Sequence, residues 1–200
     1  MNTFLLSWIT ILSMLIGPSP AKKPKYPDGL YAEVTTNKGL IVLQLEFEKT
    51  PMTVSNFVGL AEGTISNTAL PPVSPYFTGT RFHRVVPGHV IQCGIPSGAT
   101  QGPGYQFPNE IVLPDLGHGK AGMVTMANGG WHTNGSQWCI TLGDRSYLDG
   151  DYTVFGHVIK GMEVVMAIVQ GDEIQKIQIV RVGVAATAFH TITVNDSVVG

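Results

Sequence analysis

A β-hairpin is indicated by residues 31–47, which read YAEVTTNKGLIVLQLEF. Two runs rich in strand-forming residues, 31–35 and 40–47, flank the turn signal Asn37-Lys38-Gly39. From 43 to 47 apolar and polar residues alternate, which is the period of a half-buried strand. We therefore predict that two antiparallel strands open the folded domain.

A helix is predicted directly after the hairpin. Thr50-Pro51 has the pattern of an N-cap followed by proline at the first helical position, and Gly63 is a stop signal. Apolar residues recur at helical spacing between these two points, at Val54, Phe57, Val58 and Ala61. We expect this face to pack on the core, and a loop to follow over 65–75.

The rest of the chain is mostly short strand-like runs separated by Gly, Pro and Asn. They cover 81–86, 90–93, 123–126, 137–141 and 153–158. A second helical pattern, Met162, Val165, Met166 and Val169, ends at Gly171-Asp172 and precedes a closing strand over 174–182. About eight strands with one early and one late helix predict a mainly β fold, a closed eight-stranded antiparallel barrel capped by two α-helices.

Composition is that of one globular domain. Hydrophobic residues make up 44% of the 200 residues and charged residues 13%, with 24 glycines. The net charge is −2 and no run of Lys or Arg reaches five, so nucleic acid is not expected as a partner. Two cysteines exclude a disulfide scaffold and a four-cysteine zinc site. We place the domain at 26–184, followed by a tail over 185–200 that is either strand-like or frayed.

The N-terminus has the pattern of an export signal. Residues 4–16 are apolar apart from three hydroxyl residues, and are too short for a membrane span of about 20 residues. Small residues at Ser19 and Ala21 predict a signal peptide over 1–21, cleaved after Ala21. No Lys or Arg precedes the apolar run, so an uncleaved membrane anchor remains the alternative. Either way the domain is expected outside the cytoplasm, periplasmic or secreted.

Four segments carry the chemistry of the chain. They are FHRVVPG at 82–88 with Gln92, MAN at 126–128, TNGSQ at 133–137, and LDG at 148–150 leading to VFG at 154–156. In this order and spacing they resemble the cyclophilins, peptidyl-prolyl cis-trans isomerases with an eight-stranded antiparallel barrel and two capping helices. The resemblance runs from about residue 31 to residue 182.

The resemblance implies that Arg84 is the main catalytic group and that Gln92 contacts the substrate carbonyl. Amide resonance gives the Xaa-Pro bond a barrier of about 18–20 kcal/mol. Twisting that bond localises a lone pair on the prolyl nitrogen, and a fixed guanidinium aimed at it stabilises the twisted state. No metal or cofactor is implied. The family's peptide groove is implied at Ala127, Asn128 and Gln137, which would bind an extended chain with broad sequence tolerance.

The family's proline pocket is altered in this chain. Two aromatics, a methionine and a leucine form it, and the matching positions are His89, Val90, Cys139 and Leu148. Where the family has a tryptophan and a histidine beside this pocket, the chain has Tyr147 and Tyr152. Losing a few tens of Å² of apolar contact weakens proline binding by roughly 1 kcal/mol, so we expect reduced turnover.

Other interpretations of single residues are weaker. A general base or pH sensor at His89 has no role in a reaction that transfers no proton. A disulfide between Cys93 and Cys139 suits an exported protein, but the resemblance places Cys139 on the binding face and Cys93 towards the barrel interior. The sequon at Asn134 lies inside the groove motif, and we interpret it as structural.

Taken together, we predict a peptidyl-prolyl cis-trans isomerase that assists the folding of exported proteins. The alternative is a proline-peptide binding or chaperone-like domain with weak or no turnover. A barrel that carries a small hydrophobic ligand is the third possibility, disfavoured because side chains fill a small barrel. Expected partners are proline-containing polypeptides, with no nucleic acid and no membrane beyond the N-terminal segment, and the protein is expected to be a monomer.

Overall fold

Eight antiparallel strands form one sheet in the computed structural model, which describes residues 25–96 and 102–191. The strands are β1 (Gly29–Thr36), β2 (Gly39–Leu45), β3 (Arg84–Val86), β4 (Val90–Cys93), β5 (Met123–Met126), β6 (Trp138–Thr141), β7 (Val154–Lys160) and β8 (Ile174–Val182). The helices are α1 (Pro51–Glu62), α2 (Met162–Ala167), α3 (Gly183–Ala188) and a 3-10 helix at Ser146–Leu148. The predicted signal peptide and the end of the predicted tail lie outside the described residues.

The strand order is β3-β4-β6-β5-β7-β2-β1-β8. This confirms the mainly β, eight-stranded antiparallel prediction. The prediction of a closed barrel went too far, because β3 and β8 are the two edges of the sheet and do not pair along their length. The segments before them meet instead at a single bridge between Arg81 and Glu173. Backbone bonds on either side, Phe82 N to Asp172 O at 2.9 Å and Ile174 N to Thr80 O at 2.8 Å, complete this seam.

Helix α1 has the predicted bounds and end, but its N-terminus is capped differently. Gly63 takes the left-handed conformation, with φ of 72°, that favours glycine at a helix C-terminus. Thr50 is at the N-cap, yet its hydroxyl donates back to Glu46 O at 3.2 Å and does not cap the helix. The carboxylate of Glu110 accepts the N–H groups of Met52 and Thr53 at 3.1 and 2.7 Å instead. A residue almost sixty positions away thus satisfies the helix start.

The core lies between α1 and the inner face of the sheet. Phe57 of α1 is 1% exposed, and its ring contacts Phe77, Trp138 and Phe155 at centroid distances of 5.2, 5.5 and 5.4 Å. All four residues of β6 are buried. Close aromatic packing of this kind orients β6, and therefore fixes the residues that β6 presents on its other face.

The late part of the chain differs from the prediction in two places. Helix α2 ends at Ala167 rather than at Gly171, because the Asp172 carboxylate accepts the Val169 N–H at 2.7 Å and turns the chain. Residues 183–188 span the end of the predicted domain and the start of the predicted tail. They form α3, where the tail was predicted to be strand-like or frayed. Ala186 is 1% exposed there, which explains how a short helix is held. None of the helices in the described ranges is long and apolar enough to cross a membrane.

Candidate active site

Three polar side chains form a hydrogen-bonded row across neighbouring strands. Arg84 of β3 lies opposite Gln92 of β4, and its Nη1 donates to Gln92 Oε1 at 3.2 Å. Gln92 Nε2 then donates to Oε1 of Gln137 at 2.9 Å. Both functional atoms of the Gln92 amide are therefore engaged, so the amide has one orientation. This holds the exposed guanidinium of Arg84 in place, and no acidic side chain among the described residues forms an ion pair with it.

A groove of about 680 Å³ begins at this row. Four residues predicted from the family resemblance line it: Gln92, Ala127, Asn128 and Gln137. The backbone N–H of Ala127 donates to Gln137 O at 2.9 Å, which joins the two segments of the wall. The structure thus brings Gln92, Ala127, Asn128 and Gln137 together in one groove, with Arg84, which the resemblance predicts to be catalytic, hydrogen-bonded to Gln92 at its end.

One wall of the groove was missed by sequence analysis. Residues 102–106 line it, and none of the four sequence motifs includes them. Tyr105 Oη donates to Asn56 Oδ1 at 2.7 Å, and a Cβ on Gly104 would lie 2.3 Å from Thr68 Oγ1. Both contacts join residues far apart in the chain, so no local pattern could have indicated this position.

The altered pocket residues form a second region. His89 Nε2 and Tyr147 Oη are 2.5 Å apart, and the two rings stack with centroids 6.2 Å apart and planes at 15°. Burial, and then the positive charges of Arg145 and Arg84, lower the pKa of His89 below its ordinary value. The side chain of Tyr147 is 67% exposed, whereas His89 is half-buried.

Cys139 and Val90 are buried beside this region. Cys139 lies opposite both Gln92 and Thr125 in the sheet. Burial raises the pKa of its thiol to about 12, against the opposing effect of Arg84, so the thiol stays neutral at physiological pH. Cys93 is free as well and lies in the barrel core, as expected from the opposite faces of β4.

The altered pocket residues lie next to the groove, with Cys139 opposite Gln92 in the sheet, but not in its walls. Among the described residues, the walls of the groove do not include His89, Val90, Cys139, Tyr147, Leu148 or Tyr152. Leu148 lies in the 3-10 helix next to Tyr147, and Tyr152, four residues after Leu148, is half-buried. Across residues 25–96 and 102–191, no group of three His, Cys, Asp or Glu side chains is placed to hold a metal ion.

A buried histidine, also missed, anchors the segment that carries Tyr147 and Leu148. His118 is 1% exposed, and both its ring Nδ1 and its backbone N lie 2.7 Å from Asp149 Oδ1. Its carbonyl accepts the Arg145 N–H at 2.8 Å, and its Nε2 lies 3.0 Å from Thr125 Oγ1. One residue therefore holds both ends of the 3-10 helix, and no spacing in the sequence connects it to that helix.

Comparison with known proteins places the chain in a family. Residues 31–184 match the family described as cyclophilin type peptidyl-prolyl cis-trans isomerase/CLD. Peptidyl-prolyl cis-trans isomerase A of Mycobacterium tuberculosis is 44% identical over 133 residues, which are 64% of this chain and 72% of the relative. A peptidyl-prolyl cis-trans isomerase of Helicobacter pylori is 39% identical over 150 residues, 74% and 85% of the two chains.

Similarity to solved structures supports the same family. A cyclophilin type peptidyl-prolyl cis-trans isomerase from Cryptosporidium parvum superposes with a TM-score of 0.65 at 28% identity, covering 76% of this chain and 98% of that one. A second structure of that protein was determined in the presence of the dipeptide Ala-Pro. The chain therefore belongs to the cyclophilin-type peptidyl-prolyl cis-trans isomerases, and it is an enzyme of that class.

Proposed function

We propose that Arg84 is the catalytic group of this isomerase and that Gln92 contacts the substrate carbonyl. The observation that carries the proposal is the row Arg84–Gln92–Gln137, with contacts of 3.2 and 2.9 Å. A donor that is already oriented does not have to be reorganised during the reaction, so its full electrostatic effect acts on the transition state.

The mechanism follows from the electronic structure of the amide. As the Xaa-Pro bond twists, resonance is lost and the prolyl nitrogen becomes a hydrogen-bond acceptor. The Arg84 guanidinium, which cannot lose its proton in a protein, donates to that nitrogen only in the twisted state. Gln92 holds the carbonyl on the other side of the bond while it rotates. No covalent bond forms or breaks in this step.

The polypeptide on either side of the proline is proposed to lie in the groove, against Ala127, Asn128 and Gln137. A side-chain amide and backbone groups at the wall suit an extended chain of many sequences. The proline ring itself is proposed to rest on His89, Val90, Cys139 and Leu148, bordered by Tyr147 and Tyr152. The solved Cryptosporidium parvum relative, studied with Ala-Pro, supports proline-containing peptides as the ligand class.

The direct test is exchange-rate measurement by NMR on a short Ala-Pro peptide, with the parent protein and with Arg84→Ala. We expect turnover by the parent and a loss of about 10²–10³ in the variant, with peptide binding little changed. A variant that isomerises as fast as the parent would remove Arg84 from the mechanism.

A second candidate is favoured by one observation, the replacement of both pocket aromatics by His89 and Cys139. This would suit a proline-peptide binding or chaperone-like domain with little turnover. The same NMR experiment separates the two, because a binder broadens and shifts the peptide signals without exchanging the cis and trans forms.

We also propose that the enzyme acts outside the cytoplasm, on exported proteins as they fold. The support is the apolar segment at 4–16 followed by Ser19, Ala21 and three lysines up to residue 25. Intact mass of the protein from an exported fraction tests this, with a mature chain starting at Lys22 expected. Retention of 1–21 would favour a membrane anchor. We also propose that the protein is a monomer, which light scattering measures.

A further inference from the structure

An exposed tryptophan lies at the rim of the groove and has no role in the proposed mechanism. Trp131 is 60% exposed at the tip of the loop 128–133. Thr133 Oγ1 closes this loop, accepting the Gly129 N–H at 2.9 Å and donating to Gly130 O at 2.8 Å. Since Gly129 and Thr133 both line the groove, Trp131 borders the cleft in which the polypeptide is proposed to lie.

The indole is held in one orientation although it is exposed. Its Nε1 donates to Asp151 Oδ1 at 3.1 Å, and His132 packs edge-on against the ring at 5.3 Å and 88°. His132 is fixed in turn, because its Nδ1 accepts the Asn109 N–H at 3.0 Å. A ring that is ordered before binding loses little side-chain entropy when a ligand covers it, so it contributes more affinity than a mobile one.

The acceptor of the indole N–H is a carboxylate. Asp151 is exposed, and its backbone carbonyl accepts the side-chain amides of Asn109 and Asn128 at 2.9 and 3.0 Å. Within residues 25–96 and 102–191, no Lys, Arg or His forms an ion pair with this side chain. A fixed negative charge at the N–H edge of an exposed indole is a combination that attracts a cation by both effects.

We propose that Trp131 and Asp151 together bind a Lys or Arg side chain of the substrate, and so give this isomerase a preference for basic residues flanking the proline. The proposal rests on the placement of the polypeptide in the groove. An aromatic substrate side chain would also pack on the indole, but it would leave the Asp151 carboxylate unpaired. The charge therefore favours a basic residue over an apolar one of similar size.

The test uses a series of Ala-Pro peptides in which one flanking position at a time carries Lys, norleucine, Phe or Glu. kcat/KM is measured by NMR exchange and Kd by NMR titration, at low and at high salt. For at least one position we expect kcat/KM of the Lys peptide to exceed that of the norleucine peptide by about three- to tenfold, and the Glu peptide to have the lowest value. The ratio should fall with added salt, because exposed charges are screened.

Two variants separate the ring from the charge. Trp131→Ala removes the ring, whereas Asp151→Asn keeps an acceptor for the indole N–H and removes only the charge. In both variants, the ratio of kcat/KM for the Lys peptide to that for the norleucine peptide should fall towards one. The kcat/KM of the norleucine peptide should stay within about twofold of the parent value. Ile159→Ala, at an apolar position of β7 that is 40% exposed and absent from the groove walls, is the matched control and should leave the ratio unchanged.

Equal values for Lys and norleucine at every position would overturn the inference. So would a Lys preference that survives both variants, or a gain with Phe that matches Lys and is insensitive to Asp151→Asn. Failure of the proposed function has a different signature: a parent protein that does not exchange the peptides at all. The Kd ratios would then still report whether this surface prefers a basic side chain.

Discussion

The row Arg84–Gln92–Gln137 and the pair His89–Tyr147 lie in neighbouring parts of the same sheet, but they are built differently. In the row, hydrogen bonds of 3.2 and 2.9 Å fix polar side chains that we propose act where the charge of the substrate changes. In the pair, two polar rings contact one another at positions that the family resemblance assigns to apolar contact with the proline ring.

This difference separates two ways in which a site contributes to an isomerase. Groups that act only on the twisted bond raise kcat, whereas groups that contact the proline ring in both states mainly lower KM. The chain has Arg84 and Gln92, which we propose form the first set, whereas it has replaced much of the proline pocket, which would form the second. We therefore expect an enzyme whose chemistry is intact and whose substrate binding is weak.

The largest effect should come from the row. Arg84→Ala should lower kcat/KM by about 10²–10³, because one preorganised donor is lost. Arg84→Lys is the informative control, since it keeps the charge but not the planar fork of donors. NMR exchange on an Ala-Pro peptide measures both. If Lys fully restores the rate, the guanidinium geometry is unimportant and only the charge matters.

The pocket should be repairable. The double variant His89→Phe, Cys139→Phe restores two aromatic walls, and we expect kcat/KM to rise about tenfold, which corresponds to about 1.4 kcal/mol. Cys139 is only 7% exposed, so the larger ring must find room beside Thr125. Thermal unfolding checks that the variant stays folded. A folded variant with unchanged or lower kcat/KM would mean that the small residues serve another ligand.

A smaller effect is expected at His118. His118→Ala leaves the Asp149 carboxylate and the Thr125 hydroxyl without the ring, so the free energy of unfolding should drop by about 1–3 kcal/mol. Because His118 positions the segment that carries Leu148, KM should rise a few-fold with kcat unchanged. His118→Asn places an amide near the position of Nδ1 and should restore KM, whereas His118→Gln, which reaches towards Thr125, should not. Equal KM in all three variants would exclude a positioning role.

The smallest effect should be a pH dependence. The lowered pKa of His89 means that the unfolded chain binds this proton more readily than the folded one. Its contribution to stability is therefore present above the ordinary pKa of 6.5, and is lost as the pH falls through the lowered value. KM should also rise by about two- to threefold over this range, as a charge enters the proline pocket. His89→Phe should flatten both profiles, and an unchanged profile would assign the dependence to another group.

Much of the fold could be predicted because strand and helix signals are local. The bounds of β4, β5 and β8 and the end of α1 at Gly63 agree with the periodicity of the chain. The error at α2 arises because the Asp172 carboxylate accepts the Val169 N–H and ends the helix early, and its predicted apolar face is partly solvent-exposed, with Met166 at 55%. Helix α3 is stabilised by burial against β1 and β8 rather than by a pattern of its own.

The sequence by itself determined most of the strands, the first helix, and the candidate residues for catalysis and for the groove, because alternation and short motifs are properties of neighbouring residues. Tertiary structure alone decided how the barrel seam is bridged, that Glu110 caps α1, and that His118 anchors the 3-10 helix. It also decided that Trp131 and Asp151 face each other at the rim of the groove. Each of these contacts joins segments whose relative position depends on how the whole sheet curls, and no local pattern records that geometry.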